Sequence, residues 1–250
     1  ATGYLSPLKE FCTLRLAQPW KESEHLDTEN IVAATYDPSS DWDDEIHRFM
    51  TVDCQQYLEL FYVVIRAWAA GGASRLLTFK KCASFDEVRA LQLEYKVSDS
   101  KTFVDCGYEY HRVLAEAAKH KWMGMRGTDL VDFQHAVGTG FVRRLYSKPT
   151  RVNPASGRVS PPVFRWSNPS VKDILQVLKT GRSHKWEICD LGELADDYAL
   201  QIDSERKREV QDKNGRVKLT WQRYRENHAW DCECMQVVAA SICKVFAEES

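Results

Sequence analysis

The order in which strand-like and helix-like stretches alternate between Arg48 and Met125 limits the fold of this chain more than any other feature. Arg48–Asp53 reads as a short strand, and Tyr57–Trp68, rich in β-branched and aromatic residues, as a longer one. Ala70-Gly71-Gly72 supplies a turn and Arg75–Lys80 a third strand. Ser84, with Glu87 three residues later, forms a capping box, and Val88, Leu91 and Tyr95 give the helix that follows its apolar face. Lys101–Asp105 is a fourth strand, ended by Gly107. A second helix carries Tyr110, Val113, Leu114, Ala117 and Ala118 at helical spacing, and Trp122–Met125 makes a fifth strand. Strands joined by short turns pair antiparallel, whereas a strand–helix–strand crossover joins parallel neighbours. The order β-β-β-α-β-α-β therefore predicts an α/β fold. Its mixed β-sheet has a three-stranded antiparallel meander plus parallel strands, with strands 1 and 4 parallel and helices on the flanks.

Outside that stretch the signals are looser. Residues 1–45 hold a short apolar run, Leu5 to Leu16, and then an acidic polar stretch, and read as an N-terminal arm or linker. Ala1 to Pro7 carry no start signal, as in the C-terminal part of a longer protein. Residues 46–250 read as the folded domain. Ser147–Pro162 has the composition of an exposed loop, and Ser170–Lys179 is a capped helix ended by Gly181. Tyr198–Val210 and Val217–Tyr224 flank Asp212-Lys213-Asn214-Gly215, a hairpin turn. The last element, from about Asn227 to Phe246, is expected to be an amphipathic helix.

Composition excludes several classes. The longest apolar run, Leu58 to Ala70, is broken by Glu59 and Arg66, which argues against a membrane span, and no secretion signal opens the chain. Cytoplasmic residence is the default. Eight cysteines are too few for a disulfide scaffold at 250 residues, and the Cys232/Cys234 pair lacks the companions of a zinc site, so buried reduced thiols are expected. A net charge of −2 argues against coating nucleic acid by bulk electrostatics, yet leaves room for a basic rim around acidic metal ligands.

Two strands end alike, in Val52-Asp53-Cys54 and Val104-Asp105-Cys106. As neighbouring parallel strands they bring two carboxylates close together, where they repel unless a cation sits between them. Asp231 shares a helical face with Met235, Val238, Ile242 and Val245, the apolar face, and so points inward. Singly, each aspartate has an ordinary use as a turn or helix-start residue. Three inward carboxylates, two at strand ends and one on a helix, form a constellation suited to divalent-metal chemistry.

The arrangement resembles the RNase H-like nucleases, and within them the nuclease domain of the lambda-type terminase large subunit of tailed phages. Leu8-Lys9-Glu10-Phe11 through Leu16-Ala17-Gln18-Pro19-Trp20 resembles the segment leading into that domain. Thr51-Val52-Asp53-Cys54-Gln55 with Leu58-Glu59 is similar to its first-strand motif, and Asp105-Cys106-Gly107-Tyr108 to its second acidic motif. Asn227-His228-Ala229-Trp230-Asp231-Cys232 is similar to the C-terminal motif that delivers the last aspartate. The resemblance runs from Leu8 to about Ile242. It implies an endonuclease that cuts double-stranded, concatemeric viral DNA during genome packaging. Its implied partners are the terminase ATPase domain, the small terminase subunit and the portal. The chain has no GxxxxGK[ST] phosphate loop, so it is expected to cut DNA without translocating it.

The mechanism expected is phosphodiester hydrolysis with two Mg²⁺ or Mn²⁺ ions, Asp53 bridging both while Asp105 and Asp231 each complete one coordination sphere. A fourth carboxylate has four candidates, Glu59, Asp129, Asp190 and Glu233, each read as a solvated surface charge. Lys80, Lys81, Arg126, Arg143 and Arg144 are the expected phosphate contacts, with His228 near the scissile phosphate or water. Lys148, Arg151 and Arg206 to Arg208 are further candidates. Two rival readings are an RNase H-like nuclease of the junction-resolvase or transposase type and a non-catalytic docking domain for DNA or portal.

Overall fold

The computed structural model describes residues 36–55, 58–151, 160–181, 183–211 and 217–246. The leader at Leu8–Trp20, the tip of the Pro-rich loop at 152–159 and the turn at 212–215 lie outside these residues. Strands β1 (Glu45–Cys54), β2 (Phe61–Ala69) and β3 (Ser74–Cys82) are followed by helix α1 (Phe85–Glu94), β4 (Thr102–Asp105), α2 (Tyr110–His120) and β5 (Met123–Thr128). Next come β6 (Phe133–Val137), β7 (Gly140–Arg144), β8 (Val163–Ser167), α3 (Asn168–Lys179), β9 (Trp186–Glu187) and α4 (Ala195–Ile202). Strands β10 (Glu205–Gln211) and β11 (Val217–Arg223) lead to α5 (His228–Ile242).

Seven strands form one sheet in the order β8-β5-β4-β1-β2-β3-β9. β1, β2 and β3 are the antiparallel meander, and β1–β4, β4–β5, β5–β8 and β3–β9 pair parallel. This is the mixed sheet expected of an RNase H-like domain. β2 is buried along its whole length, as a central strand covered on both faces must be. The Ser84 cap forms, with Ser84 Oγ accepting from the Glu87 N–H at 3.2 Å, while the Glu87 carboxylate reaches one residue beyond the usual capping box, to the Ala83 N–H at 2.8 Å.

Alternation along β1 divides the molecule into two cores. Met50, Val52 and Cys54 join Val88 and Leu91 of α1 and Val113, Leu114 and Ala117 of α2. On the opposite face Phe49 belongs to the cluster of α3, α4 and α5, with Phe103 of β4 beside it. Asp53 follows Phe49 by four residues and Asp105 follows Phe103 by two. The period-2 geometry of a strand therefore turns both aspartates toward α5.

Three local expectations need correction. The strand expected from Tyr198 begins only at Glu205. Tyr198, Gln201 and Ile202 are the buried positions of α4, at offsets of three and four that satisfy a helix and not a strand. β2 starts at Phe61 and not at residue 57, because Leu58 takes a left-handed backbone, φ 55°, that breaks the extended run. Helix α5 is not amphipathic. Every residue from Ala229 to Ala240 except Asp231 is buried, since the helix lies on β1 and β2 beneath α3 and α4.

The end of the expected arm touches the domain. Tyr36 Oη donates to the Leu76 carbonyl at 2.6 Å, and the Arg75 guanidinium lies over the rings of Tyr36 and Trp42. Among the described residues no helix is long and apolar enough to cross a membrane.

Candidate active site

β1 and β4 run parallel with Val52 opposite Val104, so Asp53 and Asp105 follow at corresponding strand ends. α5 crosses the same face and supplies Asp231 from its first turn. All three line one cleft of about 370 Å³, together with Arg126, Lys172 and His228. The constellation legible in the sequence is thus assembled in space.

Each aspartate is held through one oxygen by a residue of its own motif. Gln55 Nε2 donates to Asp53 Oδ2 at 2.7 Å, the Gly107 N–H to Asp105 Oδ2 at 3.2 Å, and Asn227 Nδ2 to Asp231 Oδ2 at 3.0 Å. The Asp-x-Gln and Asp-x-Gly spacings therefore have a local cause. A Cβ at Gly107 would also lie only 3.1 Å from Asp105 Oδ2, which favours glycine there. His228 adds a second contact to Asp53, Nδ1 to Oδ2 at 2.8 Å, while its ring stacks on Tyr62 at 4.2 Å between centroids.

The electrostatics favour a cation. Burial, and then the charge of Asp53, push the Asp105 carboxyl up to about 7. Burial raises Asp231 well above the usual carboxylate range, and Asp53, Glu205 and Asp105 add to the rise while Lys172 opposes it. Burial draws the Lys172 ammonium down, but Cys234, Asp231 and Glu205 more than offset it and hold it above the ordinary lysine range. Hard oxygen donors whose ionisation is suppressed by burial and by one another fit a divalent cation, which compensates both costs. Among the described residues, however, no three His, Cys, Asp or Glu side chains are grouped as a ready-made metal site.

The other expected residues scatter. Arg126 lines the cleft, and its charge opposes the rise of Asp105. Lys80 and Lys81 are exposed on β3. Lys81 pairs with Asp197 at 2.9 Å and lies over the Tyr62 ring. Arg143 and Arg144 sit on the separate β6–β7 hairpin and do not line the cleft, and Arg143 pairs with Asp132 at 3.2 Å. Lys148, Arg151 and Arg206 to Arg208 are exposed.

Of the candidates for a fourth carboxylate, Glu59, Asp129 and Asp190 are exposed. Glu233 corrects the expectation: it has no exposed surface, because Arg66 reaches it from β2 inside the core. Sequence reasoning missed Glu205, Lys172 and Asn227, all buried beside Asp231. Among these only Asn227, inside the C-terminal motif, stood in a segment that drew attention.

Residues 171–249 match the family model of the terminase large subunit gpA, endonuclease domain. The resemblance to the terminase nucleases is borne out. The matched stretch, about a third of the chain, contains Lys172, Glu205, Asn227 and Asp231, whereas Asp53 and Asp105 precede it and join the terminase-like segment only through the fold. No curated protein and no solved structure matches the chain.

Proposed function

We propose that residues 46–250 form a divalent-metal-dependent endonuclease domain that hydrolyses phosphodiester bonds of double-stranded DNA during viral genome packaging, with 1–45 as its N-terminal arm. The observation that carries this reading is the convergence of Asp53, Asp105 and Asp231 on one cleft with two of them kept from ionising at ordinary acidity. Asp53, Asp105 and Asp231 would hold the ions between them. Bound Mg²⁺ or Mn²⁺ would polarise the scissile phosphate and lower the pKa of the attacking water.

The chain's own residues do the rest. Gln55 and His228 fix the orientation of the Asp53 carboxylate and Gly107 that of Asp105. Arg126 stands at the cleft to meet the DNA backbone. Lys80, Lys81, Arg143, Arg144 and His228 remain proposed phosphate contacts, which position a duplex without reading its sequence. Such hydrolysis would require no nucleophilic side chain, because an activated water would serve as the nucleophile. In a packaging machine such a domain would act with an ATPase domain, a small terminase subunit and a portal, in the cytoplasm of the host cell.

Plasmid cleavage in Mg²⁺, Mn²⁺, Ca²⁺ or EDTA, comparing wild type with Asp231→Asn, tests the proposal. Cleavage that requires Mg²⁺ or Mn²⁺ and disappears in the variant is the expected result. A wild type that cuts under no condition would favour the docking-domain reading. Preference for four-way junctions over linear duplex would favour the resolvase type.

A further inference from the structure

Asn227 sits directly before α5, where an asparagine side chain ordinarily caps the helix by accepting a backbone N–H. Here it makes no such cap. The amide is turned sideways. Its Nδ2 donates to Glu205 Oε1 at 2.8 Å and to Asp231 Oδ2 at 3.0 Å, and its Oδ1 accepts from Arg223 Nη1 at 3.3 Å. Both N–H donors and the carbonyl are therefore in use, and a flipped amide would set its carbonyl against two carboxylates. Glu205 is anchored in turn: Lys172 Nζ donates to both of its oxygens, at 2.8 and 2.7 Å. Lys172, Glu205 and Asn227 are all buried, and they come from α3, from the first residue of β10 and from the entry to α5.

We propose that Asn227 is a positioning residue for Asp231, aimed by the buried Lys172–Glu205 pair. This deepens the nuclease reading and rests on it. A carboxylate free to turn about its Cβ–Cγ bond presents either oxygen to a ligand. With Oδ2 tied to Asn227, Asp231 presents Oδ1, which has no hydrogen-bond partner among the described residues. Oxygen donors held by outer partners in this way bind a cation without first having to be ordered. The forgone helix cap distinguishes this use from an ordinary helix start. A purely structural tie between β10, α3 and α5 would affect stability and leave cation affinity alone.

The test uses the whole chain and Mn²⁺ as the probe. Free Mn²⁺ is followed by paramagnetic resonance and plasmid cleavage is measured against Mn²⁺ concentration, for wild type, Asn227→Ala, Glu205→Gln and Asp231→Asn. Asn227→Ala is expected to raise the half-saturating Mn²⁺ concentration about 10–100-fold. DNA affinity in EDTA should not change, and the rate at saturating Mn²⁺ should approach that of wild type. Glu205→Gln keeps an acceptor for the Asn227 amide and should shift the curve less. If Asn227→Ala does not fold, Asn227→Ser carries the same expectation. A folded variant with an unchanged Mn²⁺ curve, beside a wild type that cuts, overturns the role of Asn227 and leaves the nuclease standing. A wild type that neither binds Mn²⁺ nor cuts DNA overturns the nuclease reading and this inference with it.

Discussion

Arg66 and Glu233 form an ion pair sealed inside the molecule, Nη2 to Oε1 at 2.9 Å, with no exposed surface on either side chain. Arg66 points from β2 toward α5, and Glu233 also accepts from Arg66 Nε at 3.0 Å and from Tyr198 Oη at 2.6 Å. Two residues after Asp231, this carboxylate is thus fully engaged in joining the sheet, α4 and α5.

A buried pair broken on one side leaves an uncompensated charge. Glu233→Ala should therefore cost about 3–5 kcal/mol of stability in chemical denaturation. Arg66→Met combined with Glu233→Leu and Tyr198→Phe should recover part of that loss, because an apolar set needs no desolvation of charge and leaves no Tyr198 hydroxyl without its acceptor. A Glu233→Ala loss below about 1 kcal/mol would mean that the pair behaves like an exposed one.

His228 touches Asp53 with one ring nitrogen and Tyr62 with its face. His228→Phe keeps the stack and removes the hydrogen bond. With Asp53 as a metal ligand, as proposed, it should slow cleavage about 10–100-fold, the usual effect of losing an outer partner of a ligand. The stability cost should be about 1.5–3 kcal/mol, as for a hydrogen bond to a charged group. Wild-type cleavage by a folded His228→Phe would remove this histidine from the site.

The Asp105 carboxyl, pushed up to about 7, gives a pH signature whose sign is opposite to that of a salt-bridged carboxylate. An unfolded chain releases that proton near pH 4, whereas the folded domain holds it to about 7. Between these values the native state binds more protons, so its stability falls as pH rises through the window and is level above it. In metal-free protein the slope should be on the order of a few kcal/mol across the window. Asp105→Asn should make it shallower, leaving the part that the raised Asp231 carboxyl contributes, and Mn²⁺ should raise the melting temperature more at pH 7.5 than at pH 5. Parallel pH–stability curves for wild type and Asp105→Asn would show that Asp105 ionises normally.

The chain by itself determined the β-β-β-α-β-α-β order, the helix cap at Ser84 and the strand-end positions of Asp53 and Asp105. All are set by periods of 2 and 3.6 residues, or by contacts two to four residues apart. The Asp-x-Gln and Asp-x-Gly motifs were legible for the same reason, since Gln55 and Gly107 act on aspartates two residues away. What only the tertiary structure decided depends on residues distant in the chain. The amphipathic reading of α5 failed because sheet and helices together cover it beyond a single stripe, so that Glu233 and Gln236 are enclosed as well. Glu233 reads as a surface charge until Arg66, 167 positions earlier, is brought against it. Lys172 and Glu205 look like solvated residues of a helix and a hairpin until the fold closes them, 33 positions apart, behind Asp231. Local propensity fixes the elements, but burial and charge pairing between remote residues are settled only when those elements meet.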